Sequence, residues 1–109
     1  MNPPSPTDPE PVWSKWIAGI MGGDAEVRLS DGTRCDIILY DLAIEVDWAK
    51  KWPEAVGQCL HYSRLVGKRP GILLLTRGKP TEDKYLDDCR NVCRMIDITL
   101  LTWSTKPTT

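Results

Sequence analysis

The clearest pattern of apolar and polar residues lies in the middle of the chain, where two short apolar runs follow each other with almost no connector. The runs are Ile37–Tyr40 and Leu42–Val46, and so short a connection predicts an antiparallel hairpin. We place its tight turn at Asp41 and Leu42. Both faces of this hairpin carry apolar residues, which indicates a sheet covered by helices on two sides.

The spacing of apolar residues along the rest of the chain completes an alternation of helices and strands. It predicts three helices, at residues 12–21, 51–66 and 85–96. It also predicts five strands, at residues 25–30, 34–40, 42–48, 72–76 and 98–103. The fourth strand follows a helix and should lie parallel to its partner, because such a crossover joins parallel strands. We therefore expect an α/β domain, in the order α-β-β-β-α-β-α-β, with a central mixed sheet of about five strands flanked by helices.

The ends of the chain lack this periodicity. Residues 1–11 contain five prolines, which predicts a disordered tail before a single domain at residues 12–104. Residues 105–109 are expected to form a C-terminal tail. A chain of 109 residues is long enough for one hydrophobic core.

Composition narrows the class of protein. Hydrophobic residues make up 41% of the chain and charged residues 27%, as in soluble globular proteins. No apolar run reaches the roughly 18 residues that a membrane span needs, and no secretory signal opens the chain, so a cytoplasmic location is expected. The four cysteines form no Cys-x-x-Cys pair and are expected to be reduced and mostly buried, which makes a zinc site an unfavoured interpretation.

The charge is balanced, with a net value of −1, which argues against tight non-specific binding to DNA. Basic residues can still cluster. Five of them could gather near one edge and bind nucleic acid, with a solvated surface as the alternative: Arg64, Lys68, Arg69, Arg77 and Lys79.

Three carboxylates give the hairpin its chemistry. With the turn at Asp41 and Leu42, Asp36 would lie opposite Asp47. Because side chains alternate between the two faces of a strand, Asp36, Glu45 and Asp47 would share one face. Buried charges need a partner, and a divalent cation is the simplest one for three carboxylates.

The helix after the hairpin begins with a proline in its first turn. At roughly 100° per residue, four of its side chains fall within a sector of about 60°. These are Lys51, Ala55, Gln58 and Tyr62. A lysine, an amide and a phenol are therefore expected beside the acidic face.

Over residues 24–103 this constellation resembles the PD-(D/E)xK nuclease superfamily, which has the restriction-endonuclease-like fold. Cys35-Asp36 matches the Asp that begins one strand of the hallmark, and Glu45-Val46-Asp47 matches the Glu-x-Lys of the next strand except at its last position. Lys51 is placed to supply the lysine from the following helix, as in some members. Gln58 and Tyr62 fit the Gln-x-x-x-Tyr of members related to recombination exonucleases.

The resemblance implies a metal-dependent nuclease that hydrolyses phosphodiester bonds in DNA, with a preference for particular DNA structures as one variant. It implies Mg²⁺ or Mn²⁺ held by Asp36, Glu45 and the Val46 carbonyl, with Asp47 and Glu26 as further ligands. The implied catalytic residues are Asp36, Glu45, Lys51, Gln58 and Tyr62. The superfamily's first helix often carries another acidic residue, and none occurs in residues 12–21, so Glu26 is the nearest substitute and Asp24 a weaker one.

Two other interpretations stay open. The chain could be a catalytically inactive nucleic-acid-binding or scaffold protein with the same fold, which Asp47 in the place of the usual lysine favours. It could also be an unrelated α/β protein whose carboxylates are exposed or ion-paired. A homodimer is expected under the nuclease hypothesis, because so small a domain has limited area to grip DNA.

Overall fold

The predicted succession of elements is present in the computed structural model of the chain, which describes residues 2–107. The helices are α1 (Glu10–Met21), α2 (Trp52–Val66) and α3 (Asp83–Ile96). The strands are β1 (Asp24–Arg28), β2 (Arg34–Ile38), β3 (Leu42–Trp48), β4 (Arg69–Thr76) and β5 (Thr99–Ser104). Short 3₁₀ turns at Ala49–Lys51 and Pro80–Glu82 lead into α2 and α3.

The five strands form one mixed sheet in the order β1-β2-β3-β4-β5. β1, β2 and β3 form an antiparallel meander, whereas β3, β4 and β5 are parallel. The parallel pairs are those whose strands are connected through α2 and α3, as predicted for β4. The carboxyl ends of three neighbouring strands therefore lie at one edge of the sheet, and the α/β class is confirmed.

The register of the central hairpin differs from the predicted one. Ile37 pairs with Ile44 and Ile38 with Ala43, and the N–H of Leu39 donates to the carbonyl of Leu42 at 2.9 Å. The turn is therefore formed by residues 40 and 41, one position earlier than expected, and the placement of Asp36 opposite Asp47 is wrong. The β2–β3 pairing covers Ile37 and Ile38, and beyond it the N–H of Val46 bonds to the Asp36 side chain. Cys35 and Ile37 pack in different clusters, so the side chains of β2 do not alternate regularly around Asp36.

The core lies on both faces of the sheet, because residues 72–75 of β4 are all apolar and all buried. One cluster packs beneath α1: Trp13, Ile17, Ala18, Ile37, Leu42, Ile44, Val46, Leu73 and Leu75. Another packs beneath α2 and α3: Ala55, Cys59, Ile72, Leu74, Cys89, Cys93 and Ile98. All four cysteines are free and buried, as predicted.

Both predicted tails need correction. α1 begins at Glu10, two residues earlier than predicted, and the carbonyl of Ser5 accepts a hydrogen bond from Trp13 Nε1 at 3.0 Å. At the other end Thr105 is buried, and both its N–H and its hydroxyl donate to the Thr76 carbonyl at 2.7 Å. Residues 108 and 109 of the predicted C-terminal tail lie outside the described residues.

No helix within residues 2–107 has the length and the apolar character that crossing a membrane requires.

Candidate metal centre

Three carboxylates from three different elements meet at one side of the meander. Glu10 comes from α1, Glu26 from β1 and Asp36 from β2, and one carboxylate oxygen of each lies within 4.8 Å of the others. Glu26 was among the expected metal ligands, as was Asp36. Glu10 was not.

Glu10 reaches the cluster because α1 starts earlier than its apolar pattern suggests. Prolines at positions 9 and 11 flank it, and proline is tolerated in the first turn of a helix, where its missing N–H would have no partner. Glu10 precedes Trp13 by three residues and Ile17 by seven, so all three lie on the buried face of α1. Ser14, one turn later, donates its hydroxyl to the Glu10 carboxylate. The proline-rich composition of residues 1–11 made this N-terminal extension of α1 hard to recognise in the sequence.

Glu26 has an unusual backbone conformation for a residue in a strand. Its φ is 53°, in the left-handed region that residues other than glycine rarely adopt. On either side of it, Ala25 pairs with Ile37 and Val27 pairs with Cys35. Ala25 packs on the α1 side of the sheet. Val27 packs on the other side, against a third group of buried apolar residues: Leu29, Cys35, Ala43 and Tyr62. The left-handed residue therefore interrupts the alternation of β1 at the point where a carboxylate joins the cluster.

Asp36 and Glu45 form the buried part of the site, with exposed fractions of 7% and 5%. Oδ2 of Asp36 accepts a hydrogen bond from the N–H of Val46 at 2.8 Å. Oε1 of Glu45 is buried and accepts no hydrogen bond from a donor among the described residues, while the Glu45 carboxyl lies within hydrogen-bonding reach of the Asp36 carboxyl. Two buried carboxyls in contact need either a proton shared between them or a cation, because a buried carboxylate oxygen without a partner is costly.

The pKa values of the carboxyls reflect this crowding. Burial, followed by the nearby Asp36 charge, raises the pKa of Glu10 to about 8. Burial also raises the pKa values of Asp36 and Glu45, and each is raised further by neighbouring carboxylates. Asp47 is half-buried, and burial raises its pKa while the charge of Lys51 lowers it. The group cannot carry all its negative charges at neutral pH without a cation to offset them.

The expected helical sector is only partly formed. Lys51 is exposed in the 3₁₀ turn before α2, near enough to Asp47 to act on its pKa, and Gln58 is exposed on α2. Tyr62 is buried, with a pKa raised by burial and by the charges of Glu45 and Asp36. The tyrosine therefore lies on the acidic side, while the lysine and the amide lie at the surface.

The five basic residues do not share one edge, contrary to the prediction. Lys68 and Arg69 lie at the amino end of β4, where Lys68 Nζ donates to the carbonyls of residues 39 and 40, and Arg69 pairs with Asp41 at 2.7 Å. Arg64 lies near this end, on the last turn of α2. Arg77 and Lys79 follow the carboxyl end of β4, at the edge of the sheet where β3 ends with Asp47 and Trp48. Of the five, only these two lie at that edge.

The arrangement brings carboxylate oxygens from three elements within 4.8 Å of one another, with the buried Glu45 carboxyl of β3 beside Asp36. Oxygen-rich sites of this kind suit hard divalent cations such as Mg²⁺. Comparison of the chain with protein-family models, with curated proteins and with solved structures gives no match, so the chemistry of the site rests on its own geometry.

Proposed function

We propose that the protein is a metal-dependent nuclease that hydrolyses phosphodiester bonds in DNA, with the restriction-endonuclease-like fold of the PD-(D/E)xK superfamily. The observation that carries the proposal is the buried Oε1 of Glu45, which accepts no hydrogen bond from a donor within residues 2–107 and lies beside Asp36. A Mg²⁺ or Mn²⁺ ion would satisfy this oxygen and offset the charges of the cluster.

The residues present fit such an ion. Asp36 and Glu45 would hold it, and Glu10 and Glu26 bring carboxylate oxygens to the same place. In an extended strand the N–H and C=O of one residue point the same way, so the Val46 carbonyl faces β2 as its N–H does. That orientation supports the expected role of this carbonyl as a further ligand.

The bound metal would supply polarisation of the scissile phosphate and a water of lowered pKa. The chain's own residues would do the rest. Val46 fixes the Asp36 carboxylate through its N–H, so this ligand is oriented before any metal arrives. Lys51 is exposed beside Asp47 and would bind the substrate phosphate or the attacking water from the solvent side. Tyr62 is near enough to Glu45 and Asp36 for their charges to raise its pKa, and it would contact these two ligands. Gln58 is exposed on α2 and would act from the solvent side.

The element order and the acid on α1 support the assignment to this superfamily. The superfamily's first helix often carries an acidic residue, and the sequence showed none in residues 12–21. Because α1 begins at Glu10, Glu10 would serve as this acid. Asp36 and Glu45 are in contact and belong to neighbouring strands, which is consistent with the hallmark Asp on one strand and Glu on the next.

A second function has one observation in its favour. Asp47 stands where the superfamily carries lysine, and within residues 2–107 Lys51 forms no ion pair with any carboxylate. A protein that kept the fold and bound nucleic acid without cutting it would tolerate this arrangement.

A cleavage assay with Mg²⁺ or Mn²⁺ on single-stranded, duplex and branched DNA tests the proposal. We expect metal-dependent cutting that is lost in Asp36→Asn and Glu45→Gln, and reduced by about 10²-fold or more in Lys51→Ala. Lys15→Ala and Asp41→Asn are matched controls, because both residues are exposed and neither belongs to the cluster or follows the carboxyl end of a parallel strand. Folded protein that cuts none of these substrates would favour the binding protein.

The proposal includes a homodimer, since a domain of 109 residues has limited area to grip DNA. Sedimentation velocity tests this part by itself. A monomer alone at micromolar concentration would remove the dimer and leave the nuclease unaffected.

A further inference from the structure

Basic residues without carboxylate partners collect at the edge where the three parallel strands end. They follow the carboxyl ends of β3, β4 and β5 and are all exposed: Lys50, Lys51, Arg77, Lys79 and Lys106. In the described part of the chain none of them forms an ion pair, whereas Arg69, at the opposite end of β4, pairs with Asp41. The net charge of −1 therefore conceals a local positive surface at the edge where the parallel strands end.

Arg77 is held at this edge by an aromatic ring. Its Cζ lies 3.8 Å from the ring centroid of Trp48, which is half-buried and packs against the core beneath α1. The backbone N–H of Trp48 donates to Oδ1 of Asp47 at 2.8 Å. The aromatic residue is therefore both adjacent in the chain and hydrogen-bonded to an expected metal ligand. A guanidinium stacked on a fixed ring loses less conformational entropy when it binds an anion.

The loop that carries Arg77 is also fixed through its backbone. The N–H of Arg77 donates to the Glu82 carboxylate at 2.9 Å, and the N–H of Lys79 donates to the same carboxylate at 3.0 Å. These bonds hold the backbone and leave both basic side chains exposed.

Gly78, which lies between Arg77 and Lys79, leaves room for a third basic side chain, that of Lys106. Gly78 has a φ of 72°, and a Cβ at this position would lie 3.0 Å from Cδ of Lys106. The missing side chain of Gly78 thus lets Lys106 lie against the loop, and Thr105 anchors that segment to the Thr76 carbonyl. β4 and β5 therefore present their basic residues as one surface.

We infer that Arg77, Lys79 and Lys106 bind the phosphodiester backbone of a nucleic-acid strand and lead it to the acidic cluster, with Trp48 as the positioning residue for Arg77. The inference rests on the proposed function, because it assigns the substrate's path to that same site. Basic groups that follow the ends of two neighbouring strands form an extended positive surface, which suits a polyanionic backbone better than a single small anion.

Fluorescence anisotropy of labelled DNA and RNA oligonucleotides tests the inference, with Ca²⁺ in place of Mg²⁺ and intact substrate verified on a gel. Both polymers are used because they share the phosphodiester backbone. We expect Arg77→Ala to weaken binding roughly fivefold or more and to lower the slope of log affinity against log salt by about 0.7 for a single strand. Trp48→Leu should weaken binding while leaving the salt slope closer to that of the wild type, because the charge remains but its position is lost.

Arg64→Ala and Arg69→Ala are the matched controls, because both remove an exposed arginine at the other end of the molecule. Binding that weakens equally in these controls, or that is absent in the wild type at low salt, would overturn the inference. Cleavage that depends on Glu45 while binding ignores Arg77, Lys79 and Lys106 would overturn it and keep the nuclease. Binding that depends on them without cleavage would support it and reject the nuclease.

Discussion

The N–H of Val46 donates a hydrogen bond to the carboxylate of Asp36, 2.8 Å away across the β2–β3 hairpin. A side chain here binds a backbone group that would otherwise face the neighbouring strand. The bond ties Asp36 to the strand that carries Glu45, so the two buried carboxylates are held in a fixed relation. A metal site requires ligands that the protein holds in a fixed orientation, and this pair of carboxylates meets that requirement.

The first prediction concerns metal binding by this pair. Mn²⁺ should raise the thermal midpoint of the wild type, since a ligand at 100 times its Kd stabilises the folded state by about 2.7 kcal/mol. In Asp36→Asn and Glu45→Gln the shift should disappear, because an amide keeps the shape but loses the charge that attracts the ion. Calorimetric titration with Mn²⁺ gives the affinity directly.

Asp41→Asn is the control for this prediction, since it alters a carboxylate of the same hairpin that pairs with Arg69 at the surface. It should bind Mn²⁺ as the wild type does. Equal affinity in Asp36→Asn would mean that the ion binds elsewhere.

The second prediction concerns the stability of the metal-free protein as a function of pH. Carboxyl pKa values are near 4 in unfolded chains, whereas in the folded protein the pKa of Glu10 is raised to about 8 and those of Asp36 and Glu45 are also raised. The folded state therefore binds more protons than the unfolded state above about pH 4.5, so the free energy of unfolding should fall as pH rises towards about 8. We expect a loss of at least about 1 kcal/mol.

Urea unfolding in EDTA at about pH 5 and about pH 8 measures this loss. Asp31, whose pKa is lowered to about 2 chiefly by its hydrogen bonds with Thr33, titrates below this window and does not interfere. Glu45→Gln should flatten the dependence, and saturating Mn²⁺ should reverse it, because the metal competes with protons. A midpoint in EDTA that rises with pH would contradict the protonation of the cluster.

A site residue could be predicted where the residues around it follow the regular spacing of apolar and polar positions in a strand or a helix. The alternation expected of a regular hairpin placed Asp36 and Glu45 together, and the two carboxyls are in contact although the turn was misplaced by one residue and β2 is irregular around Asp36. The exact turn could not be derived, because residues 39–42 carry no glycine or asparagine to mark it.

Other residues needed tertiary information. Glu10 was assigned to a tail because its proline-rich surroundings dominate the composition, and only the packing of Trp13 and Ile17 shows that α1 extends back to it. The division of the basic residues between the two ends of β4 depends on where that strand begins. It begins at Arg69 rather than Ile72, because pairing with β3 starts there.

The third prediction concerns the left-handed backbone of Glu26. Residues other than glycine in this region carry a strain of about 1–3 kcal/mol, which glycine avoids. Glu26→Gly should therefore be more stable than Glu26→Ala by about 1 kcal/mol, although both lack the carboxylate. Urea unfolding of the two variants isolates the backbone effect, and equal midpoints would show that residue 26 is unstrained.

Both variants should also bind Mn²⁺ more weakly than the wild type, since Glu26 contributes an oxygen to the cluster. A variant that is more stable yet binds less metal would indicate that the strain serves the site.

The fourth prediction concerns Glu10, the acid that the sequence pattern did not reveal. Glu10→Gln removes one of the three carboxylates that lie within 4.8 Å of one another, while the amide oxygen can still accept from Ser14. We expect cleavage to fall by about tenfold or more as metal affinity drops, with the free energy of unfolding in EDTA at about pH 8 unchanged or higher, because a buried carboxyl no longer has to lose its proton.

Asp8→Asn is the matched control, since Asp8 also precedes Trp13 but bonds only to the N–H of Ser5, outside the cluster. It should leave cleavage and Mn²⁺ binding at the level of the wild type. If Glu10→Gln cut as well as the wild type at limiting Mn²⁺, Glu10 would have only a structural role at the start of α1. The ligands would then be confined to the strands, because Glu26, Asp36 and Glu45 all belong to the meander.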